Sequence, residues 1–173
     1  EKPFELLDGV IDLGRQYGVH INLNLHRIPG YCINGRDREP FDLFEGPEEE
    51  RARAMEAASR HWRYIAHRYS DVPSTLLSFD LINEPPNVSG AAYREVVEPL
   101  VAAIRAENPG RLIVADGIAV GRVPVPEIVD LNLMQSSRGY DPMEVSHYRA
   151  SWVPGYTVDS WPKPTWPMTV RGE

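Results

Sequence analysis

The stretch Ser78-Phe79-Asp80-Leu81-Ile82-Asn83-Glu84-Pro85-Pro86 brings an apolar run, begun at Leu76, to a halt on an amide and a carboxylate. Its length and apolar content are those of a buried strand. The two prolines, which lack a backbone N–H, prevent the strand from continuing. Pro85 also favours an extended backbone at Glu84, which fixes the direction in which that side chain leaves the strand end.

Working outward, the chain alternates helices and strands. Upstream, Phe4, Leu7, Ile11 and Tyr17 recur at helical spacing, Leu6, Val10 and Leu13 widen the stripe, and Gly18 stops it. Residues 20–26 alternate strictly between polar and apolar, which predicts a strand whose polar face points either to solvent or into a barrel interior. Residues 28–47 show no clean period, and a loop of that length is usually functional or disordered. A helix follows from Pro47 to about Tyr69, with acids in its first turn. Downstream, a helix is expected from about Gly90 to Asn108 with a kink at Pro99, then a strand at 111–116, a short helix at 125–130 and a strand at 131–136. Strands alternating with helices imply parallel pairing. No glycine-rich phosphate fingerprint follows any strand. Polar residues gather instead at strand ends: His26-Arg27, Asn83-Glu84, Asp116 and Arg138-Gly139-Tyr140. Barrel enzymes place their chemistry at those ends, so the expected fold is α/β, a partial (β/α)8 TIM barrel of which about half is present.

Composition narrows the class. A chain of 173 residues, 42% hydrophobic and 25% charged, suits one soluble domain with a real core, here residues 1–173. The net charge of −7 argues against a nucleic-acid partner. No apolar run reaches the length of a membrane span. The single Cys32 has no disulfide or zinc partner. The chain begins at Glu1 rather than Met and ends after a Pro- and Trp-rich stretch, so truncation at both ends is expected.

The chemistry centres on Glu84. A carboxyl walled by barrel side chains has its pKa raised by desolvation and holds a proton near neutrality, as a general acid for a glycosidic oxygen must. Asn83 beside it has an amide suited to a sugar 2-hydroxyl. The plainer alternative is a solvated Glu before a turn. His61 and His67 lie six apart on one helix, a spacing that makes no metal pair, and His20 has a structural position. Asp80, inside a strand, is expected to be a buried carboxylate satisfied by an arginine. Asp116 is either functional or a cap of the next turn. Trp152, Trp161 and Trp166 are candidate sugar-stacking platforms or loop-packing residues, and Tyr31 is a platform candidate by position.

Three stretches carry a family resemblance. Asn24-Leu25-His26-Arg27-Ile28-Pro29-Gly30-Tyr31 resembles the third-strand motif of glycoside hydrolase family 5, mostly cellulases and related endoglucanases. Ser78 to Pro85 resembles the fourth-strand motif, and Ile104 to Pro109 with Arg111-Leu112-Ile113 resembles the fourth helix and fifth strand. The resemblance implies strands three to six of the barrel, a retaining double displacement, and β-linked polysaccharide as substrate. It implies Glu84 as acid/base, Asn83 on the 2-hydroxyl, His26 lining the subsite beside the cleaved bond, and Tyr140 as a binding residue. At the sixth strand the usual His-x-Tyr is Arg138-Gly139-Tyr140, so position 138 holds a fixed cation where the family has a titrating group. His147 lies where the family often has a histidine. The family nucleophile, a Glu ending the seventh strand, is expected downstream, with Glu173 the weaker candidate. The expected activity is endo-acting hydrolysis that needs no metal or cofactor and no obligate protein partner, in an extracellular or periplasmic enzyme. The alternatives are the same class acting on mannan, xyloglucan or β-1,3-glucan, and a non-catalytic carbohydrate-binding remnant.

Overall fold

The computed structural model describes residues 2–153 and 163–167. The expected single barrel domain divides into two compact units, Glu1–Ser137 and Arg138–Glu173. The first holds α1 (Lys2–Tyr17), β1 (Ile21–Asn24), β2 (Arg27–Ile28), β3 (Tyr31–Cys32), α2 (Glu48–Arg68), β4 (Leu77–Asp80), α3 (Gly90–Glu107), β5 (Ile113–Asp116) and β6 (Met134–Ser136). One sheet runs β1-β4-β5-β6, every neighbour parallel, and it does not close on itself. Asn24 pairs with Asp80, Asp80 with Val114, and Asp116 with Ser136. Parallel pairing places the carboxyl ends of all four strands along one edge.

The strands are shorter than the apolar runs that predict them, because pairing loosens towards that edge rather than stopping. The Leu25 N–H still donates to the Asp80 carbonyl at 3.4 Å, and the Asn83 N–H to the Leu25 carbonyl at 3.3 Å. The strand of 20–26 therefore hands its last residues to the rim. The polar face of β1 lies opposite the helices: His20 Nε2 is 2.8 Å from Ser78 Oγ, Ser78 Oγ donates to Asn22 Oδ1, and Asn22 Nδ2 donates to Asp80 Oδ2 at 3.4 Å. At Asp80 an amide thus serves where an arginine was expected. The buried arginine of this region, Arg111, donates instead to the carbonyls of Leu77, Tyr69 and Val72, with its guanidinium 4.7 Å from the Phe79 ring centroid.

The helices cover the other face. Trp62 of α2 is fully buried against Phe79, ring centroids 5.3 Å apart, and its indole N–H donates to the Leu81 carbonyl. Fully burying a large apolar side chain contributes about 1.5–3 kcal/mol. Tyr93, Val97, Leu100 and Ile104 recur along α3 and join the same core. The Ser89 hydroxyl caps α3 by accepting the Ala92 N–H. The helix continues through Pro99, which is exposed, as is Glu95, whose carbonyl loses its donor there. The helix expected at 125–130 is a 3-10 helix, Pro126–Leu131, closed by left-handed Asn132.

The long loop is ordered rather than featureless. Arg27–Ile28 and Tyr31–Cys32 form a small hairpin that turns at Gly30. Gly30 has φ +85, and an added Cβ would lie 2.6 Å from Ala54 Cβ on α2, so the turn packs where only glycine fits. Glu39 ties the loop back through its ion pair with Arg27 and by accepting the Gly30 N–H.

In the second unit one helical turn, Met143–Ser146, follows Pro142. The Tyr140 ring meets His147 edge-on at 4.9 Å, and the Ser146 hydroxyl donates to the Tyr140 carbonyl. Trp152 and Trp166 are 78% and 86% exposed, and Trp161 and Glu173 lie outside the described residues. Among the described residues no helix is long and apolar enough to cross a membrane.

Candidate active site

Four strand ends build the site of the first unit: His26 after β1, Asn83-Glu84 after β4, Asp116 at the end of β5 and Ser136 at the end of β6. Leu25 and Asn83 are hydrogen-bonded, so His26 and Glu84 each follow directly on a paired residue. His26 is exposed, and Glu84 is half-buried. Asn83 is 8% exposed, and its amide nitrogen meets no acceptor among the described residues. A buried donor without a partner is uncommon in folded proteins.

Although a following proline favours an extended residue before it, the backbone at Glu84 is not extended. Its φ is +50, in the left-handed region that non-glycine residues rarely occupy. Such a conformation costs on the order of 1–3 kcal/mol and persists only where the surroundings impose it. They do so here from both sides. The Glu84 N–H donates to Asp116 Oδ2 at 3.0 Å, and the Glu84 carbonyl accepts the Tyr31 hydroxyl at 2.7 Å.

Those two partners revise two expectations. Tyr31 is 2% exposed, with its ring edge-on to Phe44 at 5.4 Å, so it offers no open face for a sugar; it is a hydrogen-bond donor to the site's backbone. Asp116 turns its carboxyl to the neighbouring strand ends. It is 0% exposed, and its second oxygen accepts the Ser136 hydroxyl. Its own carbonyl accepts the Tyr93 hydroxyl at 2.9 Å. Burial, and then the charges of Asp116 and Asp80, push the Tyr93 phenol pKa well above its ordinary value, so this hydroxyl remains a donor. The sequence offers Asp116 as a candidate and gives no signal for Ser136 or Tyr93. A polar residue ending an apolar strand, as in Val114-Ala115-Asp116, was the signal available for Asp116.

Arg138 and Tyr140 belong to the second unit, where both are half-buried. His147, beside Tyr140, has its Nδ1 2.7 Å from the Ser146 hydroxyl. Away from the rim, His20 holds the Thr75 carbonyl and Ser78, and His67 pairs with Glu107 on the helical side. Among the described residues no group of three or more His, Cys, Asp or Glu side chains is arranged to hold a metal ion.

Comparison with known proteins agrees with this architecture. The family model for cellulase (glycosyl hydrolase family 5) matches residues 1–159. A crystal structure of a glycoside hydrolase is 37% identical, with a TM-score of 0.86 over 99% of this chain and 52% of its own. The endoglucanase Cel5A of Thermotoga maritima is 26% identical, with a TM-score of 0.68 over 90% of this chain and 47% of its own. Cellodextrinase A of Ruminococcus flavefaciens is 24% identical over 164 residues, 89% of this chain and 45% of that protein. The chain thus spans about half the length of these relatives, and its four parallel strands are part of a (β/α)8 barrel. It belongs to the cellulase family, glycosyl hydrolase family 5.

Proposed function

We propose that this chain carries the acid/base half of a retaining β-glycosidase acting on β-linked glucan, with Glu84 as the general acid/base. The observation that carries the reading is the clamped, half-buried Glu84 at the carboxyl end of β4 in a chain of this family. In the first step Glu84 gives its proton to the departing glycosidic oxygen while a second carboxylate attacks the anomeric carbon. In the second step Glu84 takes a proton from the water that releases the sugar. Retention needs the two carboxyls about 5–5.5 Å apart. We place the nucleophile in the continuation of the barrel, at its seventh strand, rather than at Glu173.

Asn83, whose amide nitrogen has no competing bond among the described residues, is assigned to the sugar 2-hydroxyl. His26, exposed on the rim, is assigned to the subsite beside the cleaved bond, and Tyr140 and Arg138 are assigned to substrate binding. Relatives named as a cellodextrinase and an endoglucanase support a β-glucan substrate. The chemistry needs no metal or cofactor, and a polymeric substrate points to an extracellular or periplasmic enzyme.

The deciding experiment replaces Glu84 by Gln in the full-length parent protein. Turnover of glycans is expected to fall ~10²–10⁴-fold. Substrates with an acidic aryl leaving group are expected to lose far less in the first step, because they depart without a proton. Equal losses on both substrate types would remove Glu84 as the acid. The 173-residue chain alone is expected to be inert and to self-associate in size-exclusion chromatography through the open sides of β1 and β6. Turnover by that chain, abolished by Glu173→Ala, would make Glu173 the nucleophile.

A further inference from the structure

We propose that Asp116 is the positioning residue for the acid/base, acting through the main chain of Glu84 rather than on the substrate; this rests on the assignment of Glu84 given above. The left-handed φ of Glu84 is opposed by its own side chain and by the proline that follows it. It is therefore imposed from outside, by groups on β3, on β5 and in the turn after β5. Asp116 Oδ2 accepts the Glu84 N–H, and the Tyr31 hydroxyl donates to the Glu84 carbonyl. The carbonyls of Pro85 and Pro86 accept the Val120 and Ala119 N–H groups at 2.9 and 3.2 Å. Those donors lie in a turn directly after β5 in which Ala119 and Val120 are themselves left-handed, φ +53 and +64.

Asp116 is the hub of this arrangement. Its carboxyl joins β4 to Ser136 of β6, and its carbonyl is held by Tyr93 of α3. Gly117, next in sequence, donates to the Ser136 carbonyl at 2.9 Å. An added Cβ there would sit 2.5 Å from the Val123 carbonyl oxygen, so the turn closes only with glycine at that point. The side chain of Glu84 leaves the rim in a direction set by this main-chain conformation. Releasing it swings the carboxyl away from the glycosidic oxygen, and a misplacement of about 1 Å costs on the order of 10²-fold in rate.

The test uses the parent protein with three variants beside Glu84→Gln, each assayed on a glycan and on an aryl glycoside with an acidic leaving group. Asp116→Ala is expected to lower kcat on the glycan about 10²-fold with KM nearly unchanged, and to spare the aryl glycoside. Asp116→Asn keeps an oxygen for the Glu84 N–H and turns its amide nitrogen to the Ser136 oxygen, so it recovers most of the loss. Tyr31→Phe removes only the hydroxyl that holds the Glu84 carbonyl; it should show the same leaving-group pattern, more weakly, and it decides the matter if Asp116→Ala fails to fold. Equal losses on both substrates, a change in KM alone, or an Asp116→Asn as impaired as Asp116→Ala would overturn the positioning role. Glu84→Gln losing equally on both substrates would instead overturn the assignment of Glu84.

Discussion

β4 and β5 are buried at every residue, while β1 and β6 of the same sheet are only partly covered. The inner strands have a partner on each side, whereas each outer strand is paired on one side within the sheet. The covering helices follow suit. α2 and α3 bury Trp62, Tyr93, Leu100 and Ile104 completely, yet α1 leaves Leu6, Val10, Leu13 and Tyr17 exposed along one flank. The centre is held by packing. α1 sends Ile11 into the core and is otherwise fastened at its edge, Asp8 to Arg68 and Tyr69 and the Phe4 ring to Tyr64. The contrast teaches that the candidate acid/base stands on the best-covered part of the chain, where a strained backbone is most easily maintained.

Four substitutions would break or sharpen that contrast. The largest effect is expected at Trp62, where truncation to Ala empties a fully buried site and costs about 3–5 kcal/mol. Denaturant unfolding of the parent protein measures it. Leu6→Ala on the exposed flank of α1, measured in the same protein, should stay within about 0.5 kcal/mol. Comparable losses at the two positions would erase the distinction between centre and edge.

Arg111→Met comes next. It keeps the apolar stem over Phe79 but withdraws the donors from the Leu77, Tyr69 and Val72 carbonyls, for a loss of about 1–3 kcal/mol. Removal of a buried charge offsets part of the cost, because burial itself pushes the Arg111 pKa below its ordinary value. A melting temperature equal to wild type would show that the carbonyls find other donors.

The smallest effect belongs to Asp8→Asn. The Arg68 hydrogen bond, and after it that of Tyr69, hold the Asp8 carboxyl below the usual carboxylate range. A depressed carboxylate contributes stability above its unfolded pKa of about 3.9, and that contribution disappears as pH falls through the lower folded value. The gap between wild type and Asp8→Asn is therefore expected to be constant near neutrality and to close in acid. A gap that persists well below that range, or that widens, would show that the pair is not what fastens α1.

The rim was legible where a residue type and its local frame coincide. Asn83-Glu84-Pro85 announces itself because an apolar strand rarely ends on an amide, an acid and a proline in succession, and His26 stands out as the end of a strict alternation. The burial of Tyr31 is not legible in the sequence, for a physical reason. An aromatic in a long polar loop has the same sequence signature whether its ring faces solvent or folds under the loop, and only the packing of Phe44 distinguishes the two. Asp116 stayed undecided because its partners, Glu84 and Ser136, lie 32 and 20 residues away.

The conformation of Glu84 marks the same division. By itself the sequence determined the alternation of helices and strands, the parallel sheet, the family and the candidate carboxylate. Those follow from hydrophobic period and short motifs, which are local or repeat along the chain. Only the tertiary structure decided that Glu84 is left-handed rather than extended. Proline and Cβ sterics favour the extended form over a span of two residues. Hydrogen bonds from β5, from the turn after it and from Tyr31 act across tens of residues, and together they hold the backbone where its local chemistry would not.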